Sequence, residues 1–190
     1  MSEAGTQIGV ARARAGAVAP PAQRSARVDE AAIRAALADV PDPELPMLSV
    51  VDLGIVHRVE ITSTDGAIRV EILPTFVGCP ALEMIKASIV TRLAAFGRPV
   101  TVVATFEVPW TSDRISTAGQ AALLAAGIAP PGTNGDGHPG ADLIALGPPV
   151  PCPHCGSRRT VLENAFGPTQ CRTIRYCADC RQPFEAIKQV

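Results

Sequence analysis

The sequence predicts an α+β domain with a small mixed sheet, followed by a C-terminal zinc ribbon. Residues 28–108 show, in order, the patterns of a helix, a hairpin, a helix and a strand. Residues 129–151 have the proline and glycine content of a linker. Two Cys-x-x-Cys pairs follow the linker, and this spacing is typical of a metal-binding ribbon.

Composition and charge favour a globular protein over a membrane protein or a general nucleic-acid-binding protein. Apolar residues make up 47% of the chain and the net charge is -1, so a core can form and no general affinity for nucleic acid is expected. No apolar run approaches the ~18 residues of a membrane span, and the N-terminus lacks a secretory signal pattern. Six cysteines in such a chain favour metal or thiol chemistry over disulfides. We therefore expect a cytoplasmic protein that does not bind membranes.

We expect the chain to divide into four segments. Residues 1–27 are rich in Ala, Gly and Arg and have no apolar period, which indicates a disordered tail. The α+β domain is predicted at residues 28–128, the Pro/Gly-rich linker at residues 129–150 and the zinc ribbon at residues 151–190.

The first predicted element is a short helix that ends in a stiff loop. Residues 29–39 predict the helix, because Ile33 and Leu37 lie four positions apart on one face. Pro41 ends it, and the three prolines of the segment Pro41–Pro46 exclude regular structure. The loop therefore holds its acidic side chains in a restricted conformation.

The next elements form a hairpin, a helix and a strand. Residues 55–61 and 67–73 alternate as strands, with a turn at Asp65-Gly66 between them. Residues 81–96 carry the clearest helical stripe, and Gly97 ends that helix. Residues 100–108 then predict a third strand.

A further short helix is predicted from Thr117 to Ala126. Thr117 and Gln120 have the spacing of a capping box, and Gly127 stands where a C-terminal cap belongs. The predicted domain ends directly after this helix.

The cysteines near the C-terminus predict a structural zinc site. Two residues between paired thiolates allow a tight turn to direct both sulfurs at one ion, and a second such turn completes a tetrahedron. The predicted ligands are Cys152, Cys155, Cys177 and Cys180. The predicted strands of the ribbon are residues 159–166, 170–176 and 183–187.

Other readings of these cysteines remain open at this point. An iron–sulfur cluster, a redox dithiol and a disulfide pair are the alternatives to zinc. His154 is interpreted as a residue that organises the first turn and not as a ligand. The ribbon is basic, but four thiolates on one Zn²⁺ carry a formal charge of about -2 that offsets much of this charge. Contact with an acidic protein surface is therefore favoured over nucleic acid.

Cys79 is a candidate functional thiol. It is followed by Pro80 and a strong helix, and proline favours the first helical position, so Cys79 is predicted at or next to the N-cap. The helix dipole would there lower the thiol pKa and favour a nucleophile or a ligand for a soft metal. The alternative is a buried, inert cysteine.

Acidic residues in two loops are the other candidates. Asp42 and Glu44 flank Pro43, and they are either site residues or solvated loop acids. Asp52 precedes a glycine and a strand, so it can cap a turn through its own backbone. The chain contains no phosphate-binding glycine loop, nucleophile elbow or His-Glu-x-x-His motif, and it therefore offers no complete catalytic set.

Several of these segments resemble known families. Asp42-Pro-Glu-Leu-Pro, Val51-Asp-Leu-Gly-Ile-Val56 and the Thr75–Pro80 segment with Cys79 resemble the metal–sulfur cluster assembly domain of SufT-like and cytosolic iron–sulfur targeting proteins. Val108-Pro-Trp-Thr-Ser-Asp, Gly127-Ile-Ala-Pro-Pro and Phe166-Gly-Pro-Thr-Gln-Cys171 resemble the D-subunit family of the ring-1,2-phenylacetyl-CoA epoxidase system.

The resemblance implies a function in bacterial aerobic phenylacetate catabolism. It implies an accessory protein, not an enzyme, that helps to assemble or insert the iron–sulfur or diiron centre of the epoxidase. Cys79 would be the transient ligand of iron or a cluster, and Asp42, Glu44, Asp52 and Thr75 fall on motif positions that line the same site. The implied partners are the oxygenase and reductase subunits, with a homodimer as a further possibility.

Two points stay open under this resemblance. Cys171 matches a recurring ribbon cysteine outside both Cys-x-x-Cys pairs, and it is either a packing residue or a second thiol near the zinc. The competing function is a non-catalytic scaffold that joins the reductase to the oxygenase. A nucleic-acid-binding regulator is the third hypothesis, and steeply salt-dependent binding would be its mark.

Overall fold

The computed structural model describes residues 28–132 and 150–190. The predicted tail at residues 1–27 and most of the predicted linker lie outside the described residues, and the division into domains stays a prediction. We refer below to residues 28–132 as the N-terminal part and to residues 150–190 as the ribbon.

The described elements form an α+β structure with two small sheets, as predicted. The helices are α1 (Glu30–Leu37), α2 (Leu82–Leu93) and α3 (Thr117–Ala125), with 3₁₀ turns at Ala94–Phe96 and Ser112–Arg114. The strands are β1 (Val56–Ile61), β2 (Ile68–Ile72), β3 (Val100–Ala104), β4 (Ile128–Ala129), β5 (Thr160–Asn164), β6 (Arg172–Cys177) and β7 (Pro183–Ile187). None of the helices formed by the described residues has the length and apolar character that a membrane crossing needs.

The first sheet is mixed and has the order β1-β2-β3. β1 and β2 form the predicted antiparallel hairpin, and β2 and β3 pair in parallel through the crossover helix α2. Every second residue of β2 is buried, and Ile68, Val70 and Ile72 are at most 1% exposed. Because side chains alternate between the two faces of a strand, one face of β2 packs in the core, to which α1 and α2 also contribute.

The helices begin and end close to the predicted positions, and the differences are informative. α1 is capped by Asp29, whose carboxylate accepts a hydrogen bond of 2.8 Å from the amide of Ala32. α2 begins at Leu82, so the prediction that Pro80 takes the first helical position is wrong. The Thr117 capping box is also wrong, because Ser116 is the N-cap of α3 and its hydroxyl accepts from the Gly119 amide at 2.9 Å.

The ribbon packs directly on the N-terminal part. Its sheet has the order β4-β7-β6-β5, and β4 comes from the N-terminal part. Ile128 pairs with Glu185 and Ala129 pairs with Ala186, in parallel. Ile187 at the end of β7 is 4% exposed and belongs to the core of the N-terminal part. β4 therefore spans the predicted boundary between the domain and the linker, and it joins the two parts.

The turn between residues 50 and 55 requires a glycine. Gly54 has a φ of +71°, and an ideal Cβ at this position would lie 2.3 Å from the carbonyl oxygen of Arg114. The chain can approach the 3₁₀ turn at Ser112–Arg114 this closely only without a side chain. The backbone of the neighbouring Leu53 accepts a hydrogen bond of 2.9 Å from the indole of Trp110.

We expect Gly54→Ala to lower the free energy of unfolding by at least about 2 kcal/mol, because it adds a steric clash to the cost of the left-handed conformation. Gly97→Ala is the matched control, since Gly97 has a φ of +65° and an added Cβ would meet nothing within 4 Å. Its loss should be about 1 kcal/mol. Denaturant unfolding of both variants measures the difference, and equal losses would contradict the proposed clash.

Candidate functional site

A small cavity lies where the N-terminal part meets the ribbon, and we call it the Cys79 cavity. Its walls are mostly aliphatic, and Trp110 closes one side. The polar groups that line it are Asp42, Glu44, Thr75, Cys79 and Cys171. Its volume is about 20 Å³, which accommodates one water-sized group.

Asp42 shapes the loop that reaches this cavity. Its carboxylate oxygen accepts hydrogen bonds of 2.8 Å from the amides of both Glu44 and Leu45. Its own amide donates to the carbonyl of Leu48 at 2.9 Å, and the residue is only 5% exposed. Asp42 is therefore not a solvated loop acid, because its hydrogen bonds hold the proline-rich loop in a tight Asx-type turn.

Glu44 lies on this loop, and it lines the cavity. Its side chain is half-buried, and no hydrogen-bond donor within residues 28–132 and 150–190 reaches its carboxylate. Burial, with a contribution from the charge of Asp42, raises the pKa of Glu44, while the guanidinium of Arg172 acts in the opposite direction. A half-buried carboxylate without a donor is available to a cation.

Cys79 lies in the turn that precedes α2 and not at its N-cap. Its carbonyl accepts from the amide of Leu82 at 3.2 Å, and the amide of Ala81 hydrogen-bonds to the thiol. Burial raises the pKa of Cys79, and the charges of Glu44 and Asp42 raise it further. The predicted lowering of this pKa is therefore wrong, because α2 starts three residues later and one amide does not offset burial beside two carboxylates.

Thr75 lines the cavity from the segment after β2. The same segment exposes two large apolar side chains, since Phe76 is 41% exposed and Val77 is 77% exposed. An exposed apolar surface beside a cavity lined by polar groups is a feature of sites that contact another macromolecule.

Asp52 lies outside the residues that line the cavity. Its two carboxylate oxygens accept hydrogen bonds of 2.7 Å from the hydroxyls of Ser49 and Ser116. These bonds lower the pKa of Asp52 and keep the carboxylate charged. Because Ser116 caps α3, Asp52 ties the loop before β1 to the start of that helix. Its interactions are those of a structural residue.

Cys171 is the residue of this cavity that the sequence did not connect with Cys79. It immediately precedes β6 of the ribbon and lines the same cavity as Cys79. Its Sγ lies 3.1 Å from the hydroxyl oxygen of Thr169. Burial raises the pKa of the Cys171 thiol, and the Thr169 hydroxyl opposes this shift. No spacing rule relates residues 79 and 171, since the packing of the ribbon brings them to one cavity.

The other four cysteines form a second, separate cluster. The Sγ atoms of Cys152, Cys155, Cys177 and Cys180 all lie within 4.8 Å of one another, as the spacing predicts. All four thiols are free, which excludes the disulfide reading in this structure. Two Sγ–Sγ distances, from Cys152 to Cys180 and from Cys155 to Cys177, are 3.6 Å. Metal–sulfur bonds of about 2.3 Å give a tetrahedron with edges of about 3.8 Å, so the cluster fits one metal ion.

Each pair of cysteines lies on a tight turn with the same backbone pattern. The amide of Gly156 donates to the carbonyl of Cys152 at 2.8 Å, and the amide of Arg181 donates to that of Cys177 at 2.9 Å. Both donors have a positive φ, which is +74° for Gly156 and +59° for Arg181. In the second turn, the amides of Cys180 and Asp179 lower the pKa of Cys177 to about 6. A thiol with this pKa loses its proton to solvent readily, and the resulting thiolate binds a metal ion.

Comparison with known proteins identifies relatives of both parts. Residues 30–103 match the family described as iron-sulfur cluster assembly protein, and residues 137–188 match the PaaD zinc beta ribbon domain. A protein of Escherichia coli (strain K12) that is named as the D-subunit of 1,2-phenylacetyl-CoA epoxidase is 36% identical over 157 residues. The alignment covers 82% of this chain and 90% of that protein.

Two solved structures are similar to about half of the chain. A domain of unknown function, DUF59, from Bacillus anthracis is 27% identical, with a TM-score of 0.46 over 50% of this chain and 90% of that chain. A conserved hypothetical protein from Thermotoga maritima is 32% identical, with a TM-score of 0.42 over 47% of this chain and 88% of that chain.

We expect Cys79 to react slowly with iodoacetamide at neutral pH, because the raised pKa of its thiol leaves little thiolate. The pH midpoint of its alkylation rate should lie above the value of about 8.5 for an ordinary thiol. Mass spectrometry of the peptide that contains Cys79 measures the rate at each pH. The same peptide in the denatured chain is the control, and a midpoint lower in the folded protein would contradict the effect of burial.

Proposed function

The chain belongs to the D-subunit family of the 1,2-phenylacetyl-CoA epoxidase, and from that membership we propose that it is an accessory maturation factor of that enzyme system. It assists the assembly or insertion of the iron–sulfur or diiron centre of a partner subunit. Iron or a cluster is its cargo, and Cys79 is the transient ligand. In this proposal the protein catalyses no step of the epoxidation.

The observation that carries this proposal is the Cys79 cavity. A thiol lines the same small cavity as a carboxylate that accepts no hydrogen bond from residues 28–132 and 150–190, and thiolates and carboxylates both bind metal ions. Asp42 and Thr75 support the site, the first by shaping the loop and the second by lining the cavity.

The ligand count supports a transient role. An iron–sulfur cluster is held by about four ligands, and the thiol of Cys79 supplies one of them. The remaining ligands of a cluster must then come from the client or from a second copy of this chain. A cargo held by few ligands leaves more readily than a resident cofactor, as a maturation factor requires.

We assign zinc to the four-cysteine cluster of the ribbon. Four thiolates leave no open coordination position, which is the closed type of site that zinc occupies in structural ribbons. A bound zinc ion would stabilise the tight turns at both cysteine pairs and, through β6 and β7, the packing of the ribbon on the N-terminal part. The ribbon would then serve in recognition of the partner.

The partners in this proposal are the oxygenase and reductase subunits of the epoxidase system, in the bacterial cytoplasm. Exposed apolar side chains beside the cavity support contact with such a client, since Phe76, Val77 and Phe106 lie around one groove next to Trp110. Contact there would bring the client within reach of Cys79.

A scaffold that joins the reductase to the oxygenase is the second candidate. The raised pKa of Cys79 favours it, because a thiol that stays protonated at neutral pH is a weak ligand until a metal ion displaces its proton. In that case the ribbon and the exposed apolar surface carry the function, and Cys79 is a packing residue.

Co-expression of the partner subunits with Cys79→Ser separates the two candidates. We expect the purified oxygenase or reductase to lose most of its iron or acid-labile sulfide, because the transfer ligand is missing. Met84→Ser on the exposed side of α2 is the control for an unrelated substitution, since Met84 is 59% exposed. If the partner subunits keep their full content of iron and sulfide when they are expressed with Cys79→Ser, the maturation proposal is wrong and the scaffold is favoured.

Loss of zinc should unfold the ribbon selectively. We expect Cys177→Ser to reduce the zinc content from about one ion per chain to near zero. Hydrogen exchange should then rise in β5, β6 and β7 and stay low in β1 and β2. Cys171→Ser is the matched control in the same ribbon, and it should retain its zinc. Protection of β5–β7 that survives the loss of metal would contradict a zinc-dependent ribbon.

A further inference from the structure

We propose that the chain forms a homodimer in which β3 pairs with β3 of a second copy, in the antiparallel orientation and centred on Val102. The two sheets of order β1-β2-β3 then join into one continuous sheet of six strands. This inference goes beyond the proposed function, because it rests on the edge of the sheet and not on the Cys79 cavity.

β3 lies at the edge of its sheet with half of its backbone groups directed outward. The amide of Ile68 donates to the carbonyl of Pro99 at 2.8 Å, and the amide of Thr105 donates to the carbonyl of Ile72 at 2.9 Å. Such bonds recur at every second residue of a parallel strand, so the odd-numbered residues bond to β2. The amides and carbonyls of the even-numbered residues point away from β2, and no group within residues 28–132 and 150–190 hydrogen-bonds to them. These residues are Val100, Val102 and Ala104.

The other edges of the two sheets, as far as the described strands form them, carry features that hinder association. β1 has a bulge between Val56 and Arg58 and a second charged residue at Glu60. β5 has a bulge between Leu162 and Asn164, and β4 is only two residues long. The five residues of β3 are uncharged, contain no proline and pair with β2 without a shift in register. β3 is therefore the described edge to which another strand can add.

The sequence of β3 is complementary to its own copy in the antiparallel orientation. With the two-fold axis at Val102, this residue lies opposite itself, and Val100 lies opposite Ala104 of the second copy. These residues have the outward amides and carbonyls, so each pair exchanges two hydrogen bonds. Thr101 then lies opposite Val103 of the second copy, and cross-strand pairs of β-branched side chains stabilise a sheet.

The charges that flank β3 favour a second copy of this chain as the partner. Arg98 precedes the strand and Glu107 follows it. Antiparallel pairing brings Arg98 of one copy near Glu107 of the other, and the two-fold axis repeats this contact at the opposite end. Parallel pairing in the same register would instead bring Arg98 near Arg98. The flanking charges are thus complementary in the orientation that the hydrogen bonds also allow.

This pairing keeps the two Cys79 cavities of the dimer apart. Each cavity is lined by residues that follow β2, and β2 runs parallel to β3. Antiparallel pairing directs these ends of the sheet in opposite directions. The two β2 strands are also separated by both β3 strands, which at ~4.8 Å per strand places them about 14 Å apart. A second copy therefore supplies no ligand to Cys79, and the further ligands of a cargo come from the client.

Sedimentation equilibrium of the reduced, zinc-loaded full chain tests the pairing. Because the paired segment is short, we expect a weak dimer whose fraction rises with protein concentration in the micromolar range. Ala104→Pro should weaken dimerisation by at least about 10-fold, because it removes an amide that donates across the interface. It removes no hydrogen bond to β2, and proline is tolerated at an edge position whose amide faces solvent. If Ala104→Pro lowers protection from hydrogen exchange in β1 and β2, Thr101→Lys is the second variant, since Thr101 is exposed.

An exchange of the flanking charges tests the orientation. Arg98→Glu and Glu107→Arg should each weaken dimerisation by about 3-fold or more, because like charges then meet at both ends of the pairing. The variant with both substitutions should restore the wild-type affinity, which a merely structural role of either residue would not produce. Glu163→Arg on the exposed part of β5 makes the same change in net charge as Glu107→Arg and should leave the affinity unchanged.

Three results would overturn the inference. The first is a wild type that stays monomeric up to about 0.5 mM. The second is a dimer whose affinity does not change in folded Ala104→Pro and Thr101→Lys. The third is protection of the β3 amides that arises only when an oxygenase or reductase subunit is added, since a client strand would then occupy the edge. The maturation proposal is read separately, from the metal content of the partners.

Discussion

The docking of the ribbon onto the N-terminal part is the constraint on which the rest of the structure depends. A parallel pairing of β4 with β7, only two residues long, joins the two sheets, and Ile187 extends the contact into the core. The amide of Ser112 donates to the carbonyl of Val190 at 3.2 Å and adds a third point of attachment. Without this packing, Cys171 would have no fixed relation to Cys79, and the cavity would lose one of its walls.

The acidic residues of the two loops have separate tasks, and hydrogen bonds decide which task each has. Asp42 accepts two backbone amides and Asp52 accepts two serine hydroxyls, so both carboxylates are engaged in holding the fold. Glu44 accepts no hydrogen bond from the described residues and is left to face the cavity. A carboxylate thus serves structure where hydrogen-bond donors of the fold already bind it, and it is available for chemistry where they do not.

Patterns among neighbouring residues of the sequence predicted the helices and strands of this fold well. The site was harder to predict, because it depends on packing between residues that are far apart in the sequence. The helix at Ile33 and the ligand set of the ribbon follow from periods and spacings that lie within a few residues. The pKa direction at Cys79 was wrong, because it depends on burial and on loop carboxylates more than thirty residues away. The place of Cys171 beside Cys79 could not be predicted for the same reason, since a two-residue strand such as β4 has no period that a sequence displays.

The two cysteine turns of the ribbon differ in one respect that bears on the order of its assembly. Gly156 adopts its positive φ at little cost. Arg181 occupies the same position of the second turn, and its side chain makes this left-handed conformation at least about 1 kcal/mol less favourable than a right-handed one. A chain that gathers Cys152 and Cys155 around the ion first defers this cost until the remaining two sulfur bonds can offset it. The first turn therefore forms at a lower conformational cost than the second, and the second depends more on the bound ion.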